Sequence, residues 1–85
     1  MYWVYFLHSE SKKNVYVGCT KDLEKRIKEH QDGLVESTRN RRPFTLIHKE
    51  KYDNLSTARR REKYLKSLYG YRERKKIIRE HLDRV

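Results

Sequence analysis

Three ionisable side chains stand where apolar ones are expected. Across residues 21–31, Leu23 and Ile27 recur at helical spacing, while Lys21, Glu24, Lys25, Lys28 and Glu29 fall on a solvated side. Arg26 and His30 break the pattern. They project about 60° and about 20° from Leu23, and at four residues apart they are neighbours. Glu62 does the same in a second helical segment, about 20° from Leu55 and between it and Ala58. A lone carboxylate on an apolar face is costly unless it gains a partner or a metal. A guanidinium offers planar donors for a phosphoryl oxygen, an imidazole can take a proton, and a carboxylate can hold a hard cation. Singly, each has an ordinary explanation: a snorkelling arginine, a hydrogen-bonded core histidine, an ion-paired glutamate. Together, on two helices, they favour a site.

Two tyrosines complete the set. Tyr2–Leu7 and Val15–Cys19 are rich in β-branched and aromatic residues, with a polar, turn-prone stretch between them. If His8 pairs with Lys13 around a four-residue loop, Tyr5 lies opposite Tyr16. Val4, Phe6, Val15 and Val17 then share a core face, and Tyr5, Tyr16 and Gly18 share the other. Cross-strand aromatic pairs are ordinary packing. Gly18 beside Tyr16, however, leaves space for a backbone or phosphate to approach.

The elements that must position these groups follow from length and pattern. Eighty-five residues make one domain, 1–85. Thr20 or Asp22 caps a helix running to about Gln31, and Gly33 stops it. Residues 34–43 read as a basic loop and Phe44–Tyr52 as a third strand. Asp53, Asn54 or Ser56 caps a helix over 55–68, whose apolar face is Leu55, Ala58 and Leu65, with Gly70 past its end. Tyr71–Leu82 is a third, basic helix. The order ββαβαα gives an α+β fold, a small antiparallel three-stranded sheet flanked by helices.

Composition narrows the partners. Lys and Arg number 22 against 12 Asp and Glu, a net charge of +10 that suits a polyanion. Lys12, Lys13, Arg39, Arg41, Arg42, Arg59–Arg61, Lys63 and Arg72–Lys76 can neutralise phosphates in a salt-sensitive way. No apolar run reaches membrane-helix length and no signal peptide is expected. The lone Cys19 excludes an internal disulfide or a cysteine-based zinc site and suits a reducing cytoplasm. The three glycines stand far apart, so no phosphate-binding Gly-rich loop forms.

Trp3-Val4-Tyr5, then Val15-Tyr16-Val17-Gly18, then Asp22-Leu23-x-x-Arg26-x-x-x-His30, and finally Ala58-x-x-x-Glu62-Lys63-x-Leu65, resemble the GIY-YIG nuclease domain over essentially the whole chain, and its short stand-alone bacterial members most closely. The resemblance implies a DNA endonuclease that hydrolyses phosphodiesters with one divalent metal, Mg²⁺ or Mn²⁺. Tyr5 and Tyr16 match the two motif tyrosines, Arg26 the helix arginine, His30 the position four later, and Glu62 the metal-binding carboxylate. Trp3 stands where the first motif usually has glycine, and no asparagine follows Asn54 where many members carry one.

One metal cannot clamp both attacking and leaving oxygens, so side chains must help. Arg26 suits a phosphoryl oxygen, and Tyr5 or Tyr16 could act as general base with the other phenol positioning water or phosphate. A free phenol is only about 0.1% ionised at neutral pH, so neighbouring positive charge and a proton acceptor such as His30 matter. The expected function is structure-selective or weakly specific cleavage in DNA repair or processing. The alternatives are a catalytically weak nucleic-acid-binding module and an RNA-directed factor, since phosphate contacts do not distinguish the sugars.

Overall fold

The computed structural model describes residues 1–82. Strands β1 (Tyr2–Ser9) and β2 (Val15–Thr20) are followed by helix α1 (Leu23–Gln31), a short 3₁₀ turn at Arg39–Arg41, strand β3 (Phe44–Tyr52), and helices α2 (Leu55–Lys66) and α3 (Tyr71–Leu82). The three strands form one antiparallel sheet in the order β2-β1-β3. Among the described residues, no helix is long and apolar enough to cross a membrane.

Both faces of the sheet are covered. On one, Val4, Phe6, Val17 and Ile47 pack with Ala58 and Leu65 of α2 and Ile77 of α3. On the other, Tyr5, Leu7 and Phe44 pack with Leu23 of α1, flanked by Tyr16 and Ile27. The central strand β1 is therefore buried continuously from Val4 to Ser9 without alternation.

The side chains fall on the expected faces, but the register differs. Tyr5 pairs with Gly18, Leu7 with Tyr16 and His8 with Val15. The loop still holds four residues, yet it closes one residue further along each strand. Ser9 N–H donates to the Asn14 carbonyl (2.8 Å), Lys13 N–H to the Ser9 carbonyl (2.9 Å), and Lys12 N–H to the Ser9 hydroxyl (3.1 Å). Lys13 takes the left-handed conformation, φ 56°. Each partner moves by two residues, an even number, so no side chain changes face.

β3 carries an irregularity. Phe6 pairs with His48 but Leu7 with Leu46, so Ile47 is an extra residue, and Ile47 and His48 both face the α2–α3 side. The Arg42–Pro43 bond that leads into β3 is cis.

The helix ends follow local chemistry. Asp22 caps α1 by accepting from Lys25 N–H at 3.2 Å. Gly33 ends it at φ 77°, with Gly33 N–H donating to the His30 carbonyl and Leu34 N–H to the Glu29 carbonyl. Asn54 caps α2, and this helix ends at Lys66, two residues earlier than 68, because Ser67 turns away in extended backbone. Leu55 does not join the apolar face of α2. It is exposed, and Ala58 and Leu65 are the residues of this helix that are buried in the core.

Candidate active site

Tyr5 is the hub. Its side chain is fully buried on the α1 face, and its hydroxyl lies 3.0 Å from His30 Nε2. His30 Nδ1 lies 2.8 Å from Thr38 Oγ1, and the Thr38 hydroxyl donates to the Val35 carbonyl at 3.4 Å. Two hydroxyls, Tyr5 and Thr38, thus bracket the two ring nitrogens of His30. His30 and Thr38 are both sealed from solvent. Burial first, then the positive charges of Arg26 and Arg41, hold the His30 imidazole down at about 4, despite the opposing pull of Glu29. His30 is therefore neutral at pH 7.

Burial and the neighbouring Tyr16 push the Tyr5 phenol well above the ordinary tyrosine range, and the Glu62 charge adds to the rise. Arg26 opposes it through hydrogen bonding and charge. Tyr16 is half-buried, with its ring 6.2 Å from that of Tyr5 and 5.0 Å from that of His30. Arg41 and Lys66 sit over its ring at 5.7 and 5.6 Å.

Arg26 stands at the rim of the site. Its guanidinium pairs with Glu29 at 3.3 Å and lines an open depression of about 850 Å³ together with Trp3, Cys19 and Asp22. Glu62 approaches from α2, around the β2 edge of the sheet. Its carboxylate is 17% exposed and pairs with Lys66 Nζ at 2.9 Å, and its charge is felt by both Tyr5 and the Cys19 thiol, which burial and Glu62 raise together. The site is thus built from both sides of one sheet edge.

Gly18 makes that edge passable, but not in the expected way. A Cβ there would lie 2.5 Å from Tyr5 Oη, 2.6 Å from Tyr5 Cζ and 2.9 Å from Tyr16 Cε1. The space beside Tyr16 is filled by the Tyr5 phenol and does not admit a phosphate. Gly18 serves the site by letting Tyr5 reach the edge.

The basic residues divide into groups. Lys12 and Lys13 sit exposed on the β1–β2 turn, and Arg59 and Lys63 are exposed on α2. Arg39, Arg41 and Arg42 lie on the 34–43 loop, which hydrogen bonds pin down: Glu10 N–H to the Pro43 carbonyl, Ser9 Oγ–H to the Arg41 carbonyl, and the Gln31 amide to both backbone groups of Phe44. Arg41 also donates to Asn14 Oδ1 (3.2 Å), and Arg39 and Arg42 donate to loop carbonyls.

Arg61 and Arg74 are not free to neutralise phosphates. Arg61 donates twice to Glu50, at 2.8 and 3.0 Å, and once to Glu73 at 2.6 Å, while Arg74 caps the Leu65 carbonyl. Burial pushes Glu50 up, but hydrogen bonds from Arg61, His48 and Tyr52 overcome it and hold this carboxyl at about 2.

Thr38 escaped the sequence reading. It lies in a segment with no periodicity, and nothing marks one loop hydroxyl as the partner of a distant imidazole. Lys66 is one of many cations in the 55–68 segment, and nothing local singles it out. Its place between Glu62 and Tyr16 depends on how α2 crosses the β2 edge.

The donor set suits a hard cation shared with substrate. Among the described residues, no group of three or more His, Cys, Asp or Glu side chains is arranged to hold a metal. Glu62 is one carboxylate. Mg²⁺ is commonly held by one or two carboxylates, waters and the substrate's own phosphates, so Glu62 fits such an ion once Lys66 gives way.

The family model described as the GIY-YIG catalytic domain matches residues 1–76. A UPF0213 protein of Syntrophus aciditrophicus is 35% identical over 85 residues, covering 98% of this chain and 95% of its own. One from Haloquadratum walsbyi is 38% identical over 83 residues, covering 96% and 91%. Among solved structures, the solution NMR structure of a UPF0213 protein from Bacillus halodurans is 29% identical, with a TM-score of 0.58 over 95% of this chain and 87% of that one.

Proposed function

The chain belongs to the GIY-YIG catalytic domain family, a nuclease family, and on that premise we propose that it is a divalent-metal-dependent endonuclease that hydrolyses phosphodiester bonds in DNA, in cytoplasmic repair or processing. The observation that carries the reading is the convergence on Tyr5. Its hydroxyl touches His30, its ring lies against Tyr16, and Arg26 and Glu62 are close enough for their charges to act on it. Five side chains from β1, β2, α1 and α2 meet at one sheet edge, in a chain of net charge +10.

In this reading Glu62 holds Mg²⁺ or Mn²⁺, which when bound supplies positive charge at the phosphate and a polarised water. Arg26, half-exposed at the rim of the depression, binds a non-bridging phosphate oxygen through its planar donors. Tyr16, half-buried beneath two cations, contacts the attacking water. The neutral imidazole, fixed by Thr38, holds the Tyr5 phenol in place through the contact between Nε2 and the hydroxyl. Lys12, Lys13, Arg39, Arg41, Arg42, Arg59 and Lys63 supply sequence-independent affinity.

The test is incubation with duplex, nicked, branched and single-stranded DNA and with matched RNA, each with Mg²⁺, Mn²⁺ or EDTA. DNA cleavage that EDTA abolishes is the expected result. No cleavage of any substrate by folded protein would overturn the reading, and cleavage of RNA alone would reassign the substrate.

A further inference from the structure

A second surface, outside the site, exposes apolar side chains where a small basic protein should not. Leu68 and Tyr69, on the turn between α2 and α3, are 91% and 90% exposed. This turn is firmly built. Ser67 donates to the Tyr64 carbonyl through both N–H (3.0 Å) and Oγ–H (2.6 Å), Tyr71 N–H donates to the Leu68 carbonyl (3.3 Å), and Arg74 donates to the Leu65 carbonyl (2.6 Å). Gly70 packs so closely that a Cβ there would lie 2.1 Å from the Tyr64 carbonyl oxygen. The turn therefore holds a leucine and a tyrosine out in water on a fixed support.

The surroundings are aromatic and cationic. Tyr71 follows, half-exposed, with Arg74 and Lys75 over its ring at 5.4 and 5.6 Å. From Tyr71 a shallow groove of about 350 Å³ runs along α3, lined by Arg72, Lys75, Lys76 and Arg79. Their spacing of three, four and seven residues puts them on one helix face. Of the carboxylates near the turn, Glu73 pairs with Arg61 and Glu62 with Lys66, and the exposed Glu80 is the acidic residue of the last turns of α3. An exposed aromatic step that leads into a stripe of cations is the arrangement that binds unpaired strands, with bases stacked on rings and phosphates on the charges. A purely apolar protein partner would not call for the cations.

The turn is also continuous with the site. Lys66, whose ammonium touches both Glu62 and the Tyr16 ring, is two residues before Leu68. We propose that Leu68, Tyr69 and Tyr71 form a base-stacking ledge that holds an unpaired DNA strand, whose backbone continues onto the Arg72–Arg79 face of α3. Resting on the nuclease reading, this makes the substrate a junction between duplex and single strand, with the duplex side at Arg26 and the unpaired side at the ledge.

The test separates ledge from catalysis by measuring binding in EDTA. A labelled oligothymidylate of about 15 nucleotides and a blunt duplex of the same length are titrated with wild type, with Leu68→Ser/Tyr69→Ser and with Tyr69→Trp. Both altered side chains are solvent-exposed, so the fold should survive, and circular dichroism checks it. Stacking of this kind predicts a roughly ten- to hundredfold loss of single-strand affinity in the double variant, duplex affinity within about twofold of wild type, and equal or tighter single-strand binding by Tyr69→Trp. Unchanged single-strand affinity, an equal loss on both probes, or absence of single-strand binding in the wild type overturns the ledge. So does self-association of the wild type that the double variant abolishes while oligothymidylate binding persists. Selective binding by a protein that cleaves nothing with Mg²⁺ would support the ledge and sink the nuclease reading, whereas Mg²⁺-dependent cleavage with no effect of the double variant on binding would do the reverse.

Discussion

Protonating His30 should unfasten the site and weaken the fold together. In the unfolded chain the imidazole titrates near 6.5, and in the folded protein it is held down to about 4. The neutral form is favoured by folding, so its contribution is fully present above pH 6.5 and is lost as the pH falls toward 4, while the unfolded chain takes up the proton that the folded one refuses. The depression corresponds to about 3 kcal/mol, a large share of the roughly 5–15 kcal/mol that holds a domain together. The side chain is fully buried, so solvent screening does not erode that figure much. The assay is urea unfolding followed by circular dichroism in half-unit steps from pH 7.5 to 3.5. Wild type should lose about 3 kcal/mol, mostly between pH 6.5 and 4. His30→Gln, which can still bond both Thr38 and Tyr5, should lack that slope. Glu50 acts in a lower window: held at about 2, it contributes stability above pH 4.5 that is lost as the pH falls toward 2, in both proteins. A wild-type profile that stays level from pH 6.5 to 5, or a decline over that range that persists in His30→Gln, would refute the buried neutral imidazole.

Glu62→Gln should leave DNA affinity equal or slightly higher and lower Mg²⁺-dependent cleavage by orders of magnitude, measured as nicking rate and Kd on one preparation; intact cleavage would remove Glu62 as the cation's ligand. Arg26→Ala should abolish cleavage with little change in thermal stability, because its pair with Glu29 is a rim contact of at most about 1 kcal/mol, and calorimetry beside the nuclease assay decides whether the arginine is structural instead. Gly18→Ala should cost about 1–3 kcal/mol and lower Tm by several degrees, since the new methyl would fall on the Tyr5 phenol; a neutral substitution would mean that Tyr5 can retreat without loss.

What the sequence disclosed was set by periodicity. The faces of the hairpin and the stripe of α1 follow from repeats of two or of 3.6 residues, and each is where that arithmetic puts it, whereas Glu62, placed by reference to Leu55, lies at the β2 edge beside Lys66 while Leu55 is exposed. The register was decided by something periodicity does not carry: Ser9 accepting the Lys12 and Lys13 N–H groups and Lys13 turning left-handed. Gly18 was legible as a vacancy, but its occupant, a ring from the neighbouring strand, required the true register. Thr38 and Arg61 show the same limit. One completes a hydrogen-bond chain from an irregular loop, and the other is drawn out of a basic run by Glu50 and Glu73, two carboxylates distant in sequence. Tertiary partners of this sort leave no local signal.

The extra residue at Ile47 has a consequence for the protein's behaviour in concentrated solution. β3 spans nine residues at an open margin of the sheet, and a long flat margin is a template on which another chain can lay a strand. Ile47 breaks the regular spacing of that margin near its middle, the Gln31 amide occupies the backbone groups of Phe44 at one end, and Lys49 and Lys51, resting on the Trp3 ring, place charge toward the other. An approaching strand would find matched donors and acceptors for only a few residues before losing step or meeting an ammonium group. Replacing the two lysines with threonine would be expected to increase edge-to-edge self-association along this margin.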